Sequence, residues 1–403
     1  MIIYLKFLST KIRCFWRKVK GKYFDKPVKC DLLVLDDIFP HLLSAFRIAE
    51  YNRYLSEFSE SVIYSTAKAF PIINESRSLS LVVQDYETYY PQFRKRVFEL
   101  DTSTRFDAKL AYMIFINNAY GFVETLEKNK IPFVFTLYPG GGFALNTPNV
   151  DQMLMRVFLS PYFRKVIVTQ KVTYDYLLER ELINSEKVEF IYGGVFPSDI
   201  YKQSKLQKKR YKNEKQTFDI CFVANKYMSK GIDKGYDTFI SVAEKLVDVQ
   251  DMYFHVVGSF DELDIDISLI KDKITFYGKR YTDFFPDFYS KMDIILSPNI
   301  PFILNDGAFD GFPTGCCVEA ALSEVAVFCT DILNQNIYFQ NRENIVLIST
   351  DADRIVQDIF FYYRNTENLY LLAKKGEQAF GDIFSIENQI SLRLKVLHDS
   401  MIT

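Results

Sequence analysis

Short apolar runs alternate along the chain with longer stretches of helical period, and this alternation predicts the fold class. CDLLVLDD (30–37) reads as a buried strand, a helix follows through 41–58, and SVIYST (61–66) reads as the next strand. Further strands are expected at 80–84, 112–117, 132–138, 165–170 and 188–194, with helices around 119–129 and 171–181. Apolar runs of this length between amphipathic helices belong to a parallel sheet covered on both faces.

SDIYKQSKLQKKRYKNEKQ (198–216) breaks the rhythm. It has no apolar period and reads as an interdomain linker with local disorder, its basic cluster solvated. Beyond it, strands are expected at 218–224, 253–258, 274–278, 292–299, 325–330 and 344–350. Helices are expected through 235–249, near 283–291, from Thr314 to Ser323, over 351–363 and 366–380, and again after Phe384. The 403 residues therefore read as an α/β protein of two doubly wound, Rossmann-like lobes, 25–197 and 217–384, with a last helix over 385–403. Folds of this kind take ligands in the crevice outside the carboxyl ends of the strands.

The N-terminal 1–24 follow a different pattern. Leu5, Leu8, Ile12, Phe15 and Val19 fall on one helical stripe with Trp16 at its margin, and no acid appears before Asp25. Lys6, Lys11, Arg13, Arg17, Lys18, Lys20 and Lys22 supply the charge, so residues 1–22 suit an anionic membrane surface. A helix packed on its own protein with a solvated basic side is the competing reading. No apolar run reaches the length of a membrane span.

Composition mainly excludes. A net charge of −2 gives no general case for nucleic acid as a partner. Cys14, Cys30, Cys221, Cys316, Cys317 and Cys329 show no paired zinc spacing and read as reduced thiols of a cytosolic protein. The three histidines, His41, His255 and His398, are too scattered to suggest a metal centre.

Candidate chemistry collects at the strand ends of the second half. FVANKYMSKGIDKGYDTFI places Asn225, Lys226, Lys230 and Lys234 in a loop leading into a helix. FDGFPTGCCVEAALSEV sets Asp310 before a Gly-Phe-Pro turn and Glu319 within an apolar run, where a lone carboxylate is costly without a partner. Lysines and a helix N-terminus facing one crevice suit a diphosphate. Glu319 is placed to accept hydrogen bonds from a ribose, and Asp310 from a sugar.

These pieces, in this order, resemble the donor-binding lobe of retaining GT-B glycosyltransferases of the group 1, or family 4, type. The matching motifs are Lys234-Gly235, Val257-Gly258, Ile274 to Gly278, Asp293 to Pro298, Asp310-Gly311-Phe312-Pro313 and Glu319-Ala320. The resemblance covers about 186–400, with the first lobe matched loosely. It implies donor contacts from Glu319, Lys234, Lys226, Asn225, Gly278, Gly311, Phe312, Pro313, Thr314 and Gly315. It also implies catalytic roles for Asp310 and Tyr138, the latter ending Thr136-Leu137-Tyr138 where many relatives have Thr-x-His. Gly140, Gly141 and Gly142 follow as an acceptor or phosphate loop. The closing helix is expected to cross back to the first lobe.

Two further departures stand out. Asp310 and Glu319 are nine positions apart, one more than is usual for the family, so Asp310 either keeps its aim through a bulge at Thr314-Gly315 or turns away and caps the helix. Ala224-Asn225-Lys226 stands where the family has Gly-Arg. The Gly140–Gly142 run does not have dinucleotide-fingerprint spacing.

The function implied is transfer of a sugar from a nucleoside-diphosphate sugar to a cell-envelope glycan or lipid-linked acceptor. Configuration would be retained, with no metal or other cofactor, at the inner face of the cytoplasmic membrane. A nucleotide-sugar epimerase of the same fold and a catalytically silent sugar-nucleotide-binding scaffold are the alternatives.

Overall fold

Parallel pairing runs through both halves of the chain. The computed structural model describes residues 27–101, 103–204 and 206–402, so the expected membrane-binding helix at 1–24 lies outside the described residues. In the first lobe β1 (Val28–Asp36), β2 (Val62–Ser65), β3 (Val97–Glu99), β4 (Phe106–Ile114), β5 (Phe133–Leu137), β6 (Phe163–Val168) and β7 (Val188–Phe190) form a seven-stranded sheet ordered β3-β2-β1-β4-β5-β6-β7. In the second, β8 (Phe218–Val223), β9 (Met252–Val257), β10 (Ile274–Phe276), β11 (Ile294–Ser297), β12 (Ala326–Cys329) and β13 (Val346–Leu347) form a six-stranded sheet ordered β10-β9-β8-β11-β12-β13. Every pairing between these strands is parallel.

The apolar runs have a simple cause. Successive side chains of a strand point to opposite faces. In β1, Leu33 and Leu35 enter one core while Leu32 and Val34 enter the other. In β11, Ile294 and Leu296 face one cluster and Ile295 another. With helices on both faces, the middle of such a strand is apolar, and the polar Asp36 and Ser297 stand at the carboxyl ends of β1 and β11.

Strand order reverses between β1 and β4 in the first lobe and between β8 and β11 in the second. Loops leaving neighbouring strands diverge there, which opens a crevice in each lobe.

Some expectations fail locally. Residues 80–84 are not a strand but part of the helix Leu79–Tyr89, whose buried residues Leu79, Val82 and Tyr86 keep helical spacing. The edge strand β3 and the helix Pro148–Phe158 were not anticipated from the pattern. The described part of 198–216 is ordered rather than loose. It opens with the helix Ser198–Gln203, and Lys208 donates to the carbonyls of Tyr289 and Met292. Tyr211 is buried, and its N–H donates to the Tyr370 hydroxyl at 2.6 Å. No helix among the described residues is long and apolar enough to cross a membrane.

Two features join the lobes. The helix Thr366–Phe384 packs on the second lobe, the chain turns at Ser385, and the helix Ile386–Ile402 places Ile386, Ile390, Val396 and Leu397 in the first-lobe core. The second-lobe loop 299–310 also reaches across. Leu145 N–H donates to the Gly307 carbonyl at 2.9 Å, and Phe309 enters the first-lobe core against Phe143.

The last helix carries a fully buried Arg393, which donates to the Gly193 carbonyl at 3.0 Å and the Tyr138 hydroxyl at 3.3 Å. Its Nε lies 3.9 Å from Glu50, another fully buried group, whose carboxylate accepts from Tyr54, Tyr112 and Tyr138. Removing one member of a buried pair strands the other charge, at about 3–5 kcal/mol. Arg393→Met is expected to lose about that much in urea unfolding, with Glu50→Gln/Arg393→Met recovering a good part of it. A single-variant loss below about 1 kcal/mol would show that the phenols alone sustain Glu50.

Candidate functional site

The carboxyl ends of both sheets face one cleft. Its larger part, about 560 Å³, is lined from the first lobe by Asp37, Arg47 and Gly140–Gly142, and from the second by Asn225, Lys234 and Asp310. A second part of about 280 Å³ shares Asn225, Lys234 and Asp310 and adds Thr314, Gly315 and Glu319. Volumes of this size suit a small-molecule substrate.

Lys234 and Asp310 meet because their loops leave β8 and β11, the strands on either side of the second-lobe reversal. Gly235 makes the approach possible. It has φ 71°, and a Cβ there would lie 2.1 Å from the Pro298 carbonyl oxygen. Any side chain would push the Lys234 loop off the end of β11. Lys234 is only 8% exposed, and its Nζ lies 2.6 Å from both carboxylate oxygens of Asp310. Asn299 Nδ2 donates to Asp310 Oδ2 at 2.6 Å, and Gln335 Nε2 donates to the Asp310 carbonyl at 3.1 Å. Burial penalises the ammonium, but Asp310, with Tyr227 and Asp233 beyond it, outweighs that and holds its pKa above the ordinary lysine value. Asp233 is buried 3.7 Å from Lys234, and desolvation first, then Asp310, raises its pKa.

Glu319 lies in the short helix Gly315–Ala321 and is 9% exposed. Burial pushes its carboxyl up to about 7. The Tyr201 hydroxyl beside it opposes the shift without reaching hydrogen-bonding geometry. Tyr289 and Cys316, the other groups facing it, are neutral. Asp310 and Glu319 line the same pocket. Thr314 provides no side-chain cap to the helix, which leaves first-turn N–H groups beside the pocket.

The remaining expected residues divide. Asn225 and Lys226 line the cleft, but Lys226 is held by Asp264 at 2.8 Å. Gly311 and Phe312 line a small recess of about 40 Å³ behind Asp310, with Phe312 in the core. Lys230, Gly278 and Pro313 do not line the cleft; Lys279, next to Gly278, does, and donates to the Ile73 carbonyl at 2.8 Å. Gly140–Gly142 line it with positive φ, and a Cβ on Gly141 or Gly142 would collide with Phe115 or Asn117. Tyr138, expected at the reacting centre, is buried outside the cleft lining with its hydroxyl held by Glu50 and Arg393. Asn299, Tyr227, Asp37, Arg47 and Arg280 are cleft residues that no motif announced.

No protein-family model matches the chain, and no curated protein matches it. Solved structures do. HepE from Anabaena, in complex with UDP and glucose, gives a TM-score of 0.67 at 14% identity over 92% of this chain and 100% of that one. A glycosyltransferase from Rickettsia africae ESF-5 gives 0.61 at 16% over 92% and 99%. Sucrose-phosphate synthase from Thermosynechococcus elongatus gives 0.59 at 12% over 92% and 99%. At these identities the shared property is the fold, and the chain has the two-lobed GT-B architecture.

The buried Glu319 has a consequence for stability. An acid whose pKa is raised on folding binds its proton more tightly in the native state, so its contribution falls as pH rises from the ordinary glutamate value to about 7. The loss across that window is roughly 3 kcal/mol. Urea unfolding at pH 5 and pH 8 is expected to show Glu319→Gln gaining on the wild type by about this amount at the higher pH. A difference independent of pH would place the Glu319 pKa at its ordinary value.

Proposed function

We propose that the protein is a glycosyltransferase that moves a sugar from a nucleoside-diphosphate sugar to a hydroxyl of a cell-envelope glycan or lipid-linked acceptor, with retention at the anomeric carbon. The observation that carries this reading is the placement of Glu319 and the Lys234–Asp310 pair on the wall of one pocket at the second-lobe reversal. A ribose diol donates two hydrogen bonds and thereby supplies what the buried Glu319 carboxylate lacks. Asp310, partly exposed beside Lys234, accepts from hydroxyls of the donor sugar.

Negative charge develops on the leaving diphosphate, and groups fixed in advance at that position stabilise it most effectively. Lys234 and the uncapped N–H groups at Thr314–Cys316 are the groups proposed for this role, with no bound metal. Lys226 lines the larger part of the cleft together with Lys234, although Asp264 already holds its charge. HepE, of the same fold, has been solved with UDP, with UDP and glucose, and with UDP-glucose, which favours a uridine donor here. Residues 1–22 are proposed to hold the enzyme at the inner face of the cytoplasmic membrane through their basic, Trp-bearing sequence.

A thermal-shift screen across nucleoside-diphosphate sugars tests the reading. A ligand at a hundred times its dissociation constant stabilises the native state by about 2.7 kcal/mol. UDP-glucose or another single donor is expected to raise Tm selectively, and nucleotide release is expected to require an acceptor hydroxyl or water. Flat melting curves across the panel would refute nucleotide-sugar binding. Binding without release would leave a silent module, and interconversion of the donor sugar without release would indicate an epimerase.

A further inference from the structure

Two stretches of chain cross between the lobes, and they meet at one point. The first opens with the helix Ser198–Gln203, and the second is the turn at Ser385 that precedes the helix Ile386–Ile402. Ser198 is fully buried, and its hydroxyl accepts the Ile386 N–H at 3.1 Å. Asp199 pairs with Arg53 of the first-lobe helix Ala45–Glu57. The short helix is thereby fixed to both the second crossing and the first lobe. Tyr201, in the same helix, enters the second-lobe cluster that contains Tyr289, Cys317, Val318 and Ala320. Its ring lies beside Glu319.

The Tyr201 hydroxyl is buried and has no hydrogen-bond partner among the described residues. Tyr289, the other phenol facing Glu319, is already engaged, donating to the Cys316 carbonyl at 3.3 Å. A donor without an acceptor and a carboxylate without a donor are therefore neighbours. Both omissions cost stability, and a phenylalanine would fill the apolar space around Tyr201 without the first of them. The other titratable or charged groups near Glu319 are Cys316 on its own helix and, lining the same pocket, Lys234, Lys279, Arg280 and Asp310. Lys234 is held by Asp310, Lys279 by the Ile73 carbonyl, and Arg280 lies over the Phe284 ring.

We propose that Tyr201 is a positioning residue of the donor site, its hydroxyl donating to the Glu319 carboxylate from the interlobe crossing while a nucleotide ribose donates to it from the pocket. The proposal rests on the nucleotide-binding part of the reading above. A carboxylate has lone pairs for about four hydrogen bonds, so the ribose diol and the phenol do not compete. Each donor favours the ionised form, and that form is the one able to accept from both ribose hydroxyls. The nucleotide is thus tied, through Glu319 and Tyr201, to the point where the chain passes between the lobes.

The test titrates UDP-glucose into the full chain by calorimetry between pH 6 and pH 8. Glu319 must lose its proton to accept the ribose, so wild-type affinity is expected to fall about tenfold from the upper to the lower pH. Tyr201→Phe, which keeps the ring, is expected to bind about tenfold more weakly at pH 7 and to show the midpoint of this dependence at higher pH. In a Glu319→Gln background the pH dependence is expected to vanish, and adding Tyr201→Phe is expected to change affinity by less than about twofold. The unliganded Tm of Tyr201→Phe is expected to match that of the wild type, since the hydroxyl has no partner there, and this also shows that the variant is folded. Wild-type affinity in Tyr201→Phe, an unmoved midpoint, a lowered unliganded Tm, or losses that add in the double variant would overturn the assignment. Failure of the wild type to bind UDP-glucose would instead contradict the uridine-donor reading.

Discussion

A lysine ammonium taken out of water costs several kcal/mol unless an opposite charge accompanies it. Lys234 is nearly buried at the floor of the cleft, so Asp310 must stand within reach of it. Much of the surrounding structure serves that requirement. Gly235 lets the lysine loop press against the end of β11. Asn299 and Gln335 hold the acid from its side chain and its carbonyl. Phe309, the residue before it, sits in the core of the other lobe. The position of Asp310 therefore depends on both lobes together, and an opening of the cleft that withdrew Phe309 would pull on the ion pair.

Against this neutralised pair, Glu319 is the opposite case. It is as deeply buried but, among the described residues, faces phenols and a thiol, and its carboxyl is shifted up accordingly. A protein gains nothing in stability from such a group, and strain of this kind is commonly kept where a ligand relieves it. Asp37 across the cleft is better supplied, with Asn118 donating at 3.2 Å and Arg47 at 3.5 Å, although desolvation and Asp36 still raise its pKa. The three carboxylates thus divide into two held by the protein and one, Glu319, that still wants hydrogen-bond donors.

Most strands were legible because the middle of a strand covered on both faces is apolar, and Leu32–Leu35 of β1 and Ile294–Leu296 of β11 show this residue by residue. SLVVQ misled because its β-branched pair resembles a strand, while the helical spacing of Leu79, Val82 and Tyr86 shows only over a longer window. The polar stretch after residue 198 looked loose because its anchors are single residues, Lys208 and Tyr211, whose partners are remote in sequence. In the site, Lys234, Asp310 and Glu319 could be found because each sits beside a Gly or Pro turn or within an apolar run that makes it conspicuous. Tyr138 was misplaced because the groups that claim it, Glu50 and Arg393, lie 88 and 255 residues away.

The measurement that bears most directly on the paired-and-unpaired cleft is a crystal structure with UDP-glucose bound. The account predicts ribose hydroxyls within hydrogen-bonding distance of the Glu319 carboxylate, diphosphate oxygens beside Lys234, and glucose hydroxyls on Asp310. A nucleotide seated away from the second-lobe reversal, or one lying in the pocket with Glu319 still without a donor, would contradict it.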